Sequence, residues 1–251
     1  MIELRRIVKT YGRHTALHGL DLSVPKGELF GFIGPNGAGK TTTIKMIGGI
    51  MAPTAGTVTV AGIDMARDPV AAKQRIGFIP DRPYLYEKLT GLEFLQFTAD
   101  VYGVTATLFQ SKAQNLLERF ALADWRDELI EAYSHGMKQR LIMCAALLHD
   151  PEVIVVDEPM VGLDPVAIRM VKNLFRDLAA RGTTIFMSTH TLAVAEDICH
   201  RIGIIHRGRL IAEGRLEDLR RDIAGGAADL EAVFINLTQA PETTAGEAAP
   251  P

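Results

Sequence analysis

The chain is poor in cysteine: Cys144 and Cys199 are the only two in 251 residues, with no Cys-x-x-Cys pair. That argues against a disulfide framework or a thiolate metal site. Both lie in apolar, helix-like stretches, so buried free thiols suited to a reducing cytosol are expected. No apolar run approaches the roughly 18–20 residues that span a bilayer. Met1 to Lys9 carry charge without a continuous apolar segment, so no signal peptide is expected. A membrane role would therefore need another polypeptide. Net charge is only −3, so nothing global favours nucleic acid or an anionic lipid surface. The pairs Arg5-Arg6 and Arg220-Arg221 read as solvated faces. A guanine-binding Asn-Lys-x-Asp motif is missing, and there is no internal repeat. What remains is ordinary globular composition, 47% hydrophobic and 23% charged, enough for one large domain or two small ones.

Against that background one stretch stands out: Gly34-Pro35-Asn36-Gly37-Ala38-Gly39-Lys40-Thr41 fits G-x-x-x-x-G-K-[ST]. A polyphosphate needs many donors and little bulk. The glycines let the backbone curl so that several N–H groups point inward. Lys40 adds positive charge for the β and γ phosphates, and the Thr41 hydroxyl suits Mg²⁺. A helix starting near Gly39, through Thr42, would aim its N-terminal dipole at the anion. The apolar run Leu29 to Ile33 supplies the preceding buried strand. By composition alone such a match arises in about one chain in a hundred of this length, so the motif says nucleoside triphosphate and little more.

Residues 2–9 and 20–24 alternate as half-buried strands, and Thr57 to Gly62 is β-rich. Together they suggest a small β subdomain around the phosphate-loop strand. Arg75 to Ile79 reads as a short strand closed by Pro80. From Tyr84 to Glu131 the pattern turns helical: Thr90 with Glu93 forms a capping box, and 107–120 is amphipathic. Helices near 137–148 and 165–180 alternate with strands Val153 to Val156 and Thr184 to Met187. That alternation predicts a parallel sheet with helices on both faces. A hairpin about Arg207-Gly208 follows. Domain limits are read as 1–224, with a helical insertion at about 84–135, and 225–251 as a tail. In the tail Leu230 to Phe234 suits a short docked helix, and disorder is expected from about Thr238.

The strand Val153 to Val156 ends in Asp157-Glu158, at the edge where α/β sheets bind ligands. Asp157 suits a water-mediated hold on Mg²⁺, and Glu158 is placed to polarise an attacking water. A third segment, Tyr133-Ser134-His135-Gly136-Met137-Lys138-Gln139-Arg140, is by itself a helix capped by Ser134. Its place after a helical insertion and shortly before Asp157-Glu158 makes it more.

The motif order resembles the nucleotide-binding subunit of an ATP-binding cassette (ABC) transporter from residue 2 to about 220. Tyr11 comes first, then GPNGAGKT, the insertion, YSHGMKQR, VIVVDEP, GLDP (Gly162 to Pro165) and Ser188-Thr189-His190. The resemblance implies a phosphate-loop α/β core, a mostly parallel sheet flanked by helices, with an antiparallel β subdomain and an inserted helical one. It implies ATP hydrolysis with Mg²⁺ in a head-to-tail dimer, either a homodimer or a heterodimer with a related ATPase. Tyr11 would stack on adenine. Ser134, Gly136 and Met137 belong to the signature that closes over ATP held by the partner. Asp164 lies in the loop crossing the dimer interface, and His190 resembles the switch histidine that contacts the γ-phosphate. A separate integral membrane permease would place the subunit on the cytoplasmic face of the membrane, with no nucleic-acid partner expected.

Five positions depart from the family's usual residues: Asp81 for Gln, His135 for Gly, Met137 for Gln, and Val161-Gly162 for Ser-Ala. Asp81 can still hold Mg²⁺ or water, while adding negative charge beside Asp157 and Glu158. Such variants resemble the branch that drives multidrug, antibiotic or polysaccharide exporters. A soluble ABC-type ATPase of DNA maintenance or of ribosomes is the alternative. The first needs a long heptad insertion and the second usually two cassettes in one chain; this sequence has neither.

Overall fold

The structure, a computed structural model, describes residues 1–224 and 230–239. The chain opens with the hairpin β1 (Ile2–Tyr11) and β2 (His14–Val24), then β3 (Leu29–Ile33) and α1 (Lys40–Ile47). Next come β4 (Ala55–Val60), β5 (Ile63–Asp64), α2 (Pro69–Gln74) and β6 (Ile76–Ile79). Helices α3 (Gly91–Tyr102), α4 (Ala106–Arg119) and α5 (His135–Leu147) lead to β7 (Val153–Asp157). The remainder is α6 (Pro165–Ala180), β8 (Thr184–Thr189), α7 (Leu192–Ile198), β9 (Arg201–His206), β10 (Arg209–Gly214), α8 (Leu216–Ala224) and α9 (Leu230–Gln239).

Two sheets result. The larger has the order β10-β9-β3-β8-β7-β6 and is parallel except for the β9–β10 hairpin. Strands β3 and β7 are near-continuous apolar runs because both faces are covered. Ile154 and Val156 face α5, α6 and the helical segment, while Val153 and Val155 face α1 and the smaller sheet. The smaller sheet, β2-β1-β4-β5, is antiparallel. This corrects one expectation. The phosphate-loop strand β3 is not in the β subdomain; it lies in the larger sheet between β8 and β9. All five of its residues are buried, which a half-solvated antiparallel strand would not allow.

Local signals account for the helix starts. Thr90 and Glu93 form the reciprocal capping box of α3, at 3.1 and 2.8 Å. Ser134 caps α5 and Asp164 caps α6, each accepting an N–H three residues on. Helix α9 begins at the expected Leu230 and runs to Gln239; 225–229 and 240–251, most of the stretch where disorder was expected, lie outside the described residues. Leu230 is fully buried, and its N–H donates to Glu196 at 2.8 Å. Both cysteines are free, but only Cys144 is buried; Cys199, at the end of α7, is half-buried. No helix among the described residues is long and apolar enough to cross a membrane.

Candidate functional site

A cavity of about 470 Å³ opens at the ends of β3, β6, β7 and β8. These strands are parallel, so their C-terminal ends and the loops that follow converge on one edge. From the phosphate loop and α1 come Asn36, Gly37, Gly39, Lys40, Thr41 and Thr42. Asp81 enters from just beyond β6, Asp157 and Glu158 from the end of β7, and His190 from just beyond β8. Tyr11, His14 and Ala16 close the outer side.

Gly34, Pro35 and Ala38 form the back of the loop rather than the cavity wall. A Cβ on Gly34 would meet Ile205 of β9, its Cγ2 at 2.9 Å and its carbonyl oxygen closer still. The N–H of Gly208, in the β9–β10 turn, donates to the Ala38 carbonyl at 2.9 Å. The loop is thus seated on the sheet. Lys40 is only 7% exposed, and its ammonium donates to the Gly34 and Pro35 carbonyls at 2.7 and 3.1 Å. Burial pushes its pKa down, while the Glu158 and Asp157 carboxylates pull it back up. The two carboxylates thus favour the charged ammonium against its burial.

The two acids are held differently. Asp157 is buried, with one oxygen accepting from Ser188 Oγ and the other from Thr41 Oγ1 at 2.9 Å. Glu158 adopts a left-handed backbone, φ 50°, uncommon for a side chain with a Cβ. Its carboxylate takes Thr189 Oγ1 at 3.2 Å and lies 2.7 Å from His190 Nδ1. Strands β7 and β8 set this arrangement, since Asp157 and Ser188 are direct register partners.

Tyr11 ends β1 and is 44% exposed. Its hydroxyl donates to Met51 Sδ at 2.8 Å, and Lys9 Nζ sits 5.2 Å from the ring centroid. His14, its cross-strand partner, is a cavity residue that motif reading missed. The signal available was the tight turn Gly12-Arg13, which pairs Tyr11 with whatever follows.

Ser134, Gly136, Met137 and Asp164 do not line this cavity. Ser134 and Asp164 cap their helices, Met137 is buried, and Gly136 packs on the turn 161–163. One chain therefore brings together the phosphate loop, the acids, His190 and Tyr11, and leaves the signature segment elsewhere.

The profile described as ABC transporter matches residues 17–161. The chain is 39% identical over 225 residues to the linearmycin resistance ATP-binding protein LnrL of Bacillus subtilis, covering 90% of this chain and 72% of that protein. The chain belongs to the ABC transporter family. A Nod factor export ATP-binding protein I of Paraburkholderia xenovorans is 41% identical over 213 residues, covering 85% of this cassette and 70% of that relative. Among solved structures, the ATP-binding subunit of an ABC transporter matches with a TM-score of 0.90 at 35% identity, over 94% of this cassette and 99% of that chain. A dimeric ATP-binding cassette in a post-hydrolysis state, bound to ADP and Pi, matches at 0.77 and 27% identity, over 86% and 99%. The fold is that of an ABC ATPase, and the cassette is an ATP-binding, ATP-hydrolysing transporter subunit.

Proposed function

We propose that this cassette powers an exporter, through a dimer in which each ATP is held by one chain and covered by the other. The carrying observation is the separation just described. Ser134 and Gly136 stand at the open start of α5, outside their own chain's cavity, so that cavity lacks a lid. The dimeric relative bound to ADP and Pi supports the same arrangement.

Within one half-site the proposed roles are those the family resemblance implies, and the geometry supports them as follows. Tyr11 stacks on the adenine. The loop from Gly34 to Thr42 cradles the phosphates, and Lys40 exchanges the Gly34 and Pro35 carbonyls for phosphate oxygens. The Thr41 hydroxyl and the carboxylates of Asp157 and Asp81 are hard oxygen donors of the kind Mg²⁺ takes, and Thr41 and Asp157 already adjoin at 2.9 Å. Bound there, Mg²⁺ would offset charge on the β and γ phosphates. Glu158 orients the attacking water. Before ATP arrives, His190 occupies a Glu158 oxygen; on binding it turns to the γ-phosphate and frees that oxygen for the water. Ser134, Gly136 and Met137 of the partner close the site, and Asp164 sets the start of α6 beside the interface.

Closure and reopening would reach a separate permease through residues 84–86, with 84–135 as the inserted helical subdomain. Leu85 packs against the core and the Tyr86 ring meets Phe97 edge-on, while Tyr84 and Tyr86 stay 80% and 60% exposed, which supports an anchored contact surface. The relatives named for drug resistance and export support the exporter reading and a peripheral place on the cytoplasmic face of the membrane.

The test is Ser134→Arg. It should cut hydrolysis about 100-fold, as loss of a transition-state donor does, and leave the ATP affinity of the monomer unchanged. An equal loss of affinity and turnover would argue against a lid supplied in trans. Co-purification of an integral membrane chain supports transport; co-purification of RNA or DNA supports the soluble alternative.

A further inference from the structure

The turn Glu158–Asp164 runs from the attacking-water residue to the cap of α6. It is closed by Val161 N–H to the Glu158 carbonyl at 3.3 Å and Leu163 N–H to the Met160 carbonyl at 3.4 Å. The start of α5 leans on this turn at two points. The Gly162 carbonyl lies 3.1 Å from where a Gly136 Cβ would be. The His135 ring lies directly over Gly162. A Cβ there would come within 2.7 Å of Nε2 and nearer still to Cδ2. Gly162 also has a left-handed φ of +77°. His135 and Gly162 are both exposed, so this seat is not a product of core packing. Two departures from the family's usual residues, His at 135 and Gly at 162, are thus one fitted pair: the ring needs the missing Cβ.

We propose that His135 is a positioning residue. By seating its ring on Gly162 it fastens the signature turn, which faces the partner's ATP, to the turn that begins at this chain's own Glu158. The two half-sites of the dimer are then set by one contact within each chain. This rests on the shared-site reading above. The ring has room to swing toward solvent, so an added Cβ would unseat it rather than unfold the protein.

A double-mutant cycle tests this: Gly162→Ala with and without His135→Gly, each built on Glu158→Gln to hold the ATP-bound dimer. An alanine at φ +77° is strained in both backgrounds, so that penalty cancels and the ring contact is isolated. With His135 present, Gly162→Ala should raise the ATP concentration for half-maximal dimerisation by about tenfold, the scale of an overpacked contact. In the His135→Gly background it should raise it by no more than about twofold. ATP binding to the dilute monomer should be the same in all four. Equal penalties in the two backgrounds would overturn the inference. A coupling seen in urea unfolding but not in dimerisation would also overturn it, since that is packing without positioning. If the Glu158→Gln parent fails to dimerise with ATP, the shared-site reading fails and takes this inference with it.

Discussion

Gly34→Ala isolates what the phosphate loop demands of its first glycine. Gly34 has no left-handed φ, so the demand is steric. An added methyl would press on Ile205, with Cγ2 at 2.9 Å and the carbonyl oxygen nearer, and on Ala38 Cβ at 3.2 Å. Ile205 is fully buried in β9, next to β3 in the sheet, so this obstacle cannot swing aside. Overpacking costs about 1–3 kcal/mol, and a backbone obstacle puts Gly34→Ala at about 3 kcal/mol on that scale. For a chain of this size each kcal/mol moves the thermal midpoint by about 2–4 °C, giving a fall of about 6–12 °C. Gly37 is the control. Its φ is +79°, and a methyl added there would have nothing within 4 Å, so Gly37→Ala carries only the left-handed penalty of about 1–2 kcal/mol. Urea unfolding of both variants without nucleotide, followed by circular dichroism, measures the two losses. A Gly34→Ala loss equal to or smaller than that of Gly37→Ala would refute the steric argument.

Two further outcomes follow from the geometry. Tyr11→Ala should weaken ATP binding by roughly 5–150-fold, the equivalent of about 1–3 kcal/mol of base stacking, with kcat little changed and Tyr11→Phe close to wild type; unchanged KM in Tyr11→Ala would remove Tyr11 from the base site. His149 stacks on Tyr102 at 3.7 Å between centroids, its Nε2 is 3.1 Å from the Ile76 carbonyl, and its Nδ1 is buried without a partner. Burial holds its pKa below the ordinary histidine value, against the upward pull of that carbonyl and Asp150. A depressed folded pKa means its contribution is present above the unfolded value of about 6.5 and is lost as pH falls through the folded one. Stability to urea should therefore drop between about pH 7.5 and pH 5. His149→Phe, which keeps the stack, should flatten that drop; an unaltered profile would refute the assignment.

Motifs held by local chemistry were readable from the chain. The phosphate loop, the acids ending β7, the caps at Thr90 and Ser134, and the β9–β10 hairpin all rest on residues near one another in sequence. What was not readable depends on partners far away. Residues 10–19 lack clean alternation, because register shifts around Lys9 and Thr10 interrupt the β1–β2 pairing, and His14 went unnoticed with them. Assigning β3 to its sheet needed β8 and β9, which lie far along the chain at Thr184–Thr189 and Arg201–His206. Short elements such as β5 and α2, two and six residues long, leave too few positions for a period to register. The departures at 135 and 162 looked separate in sequence; only the fold brings them into contact.

The central claim is a shared ATP site, and the most direct measurement is the solution mass of Glu158→Gln with and without ATP by light scattering. The chain weighs 27.4 kDa. With ATP the mass should double, and it should return to the monomer value without nucleotide or when Ser134→Arg is added. A protein that binds ATP and stays at the mass of one chain would contradict the account.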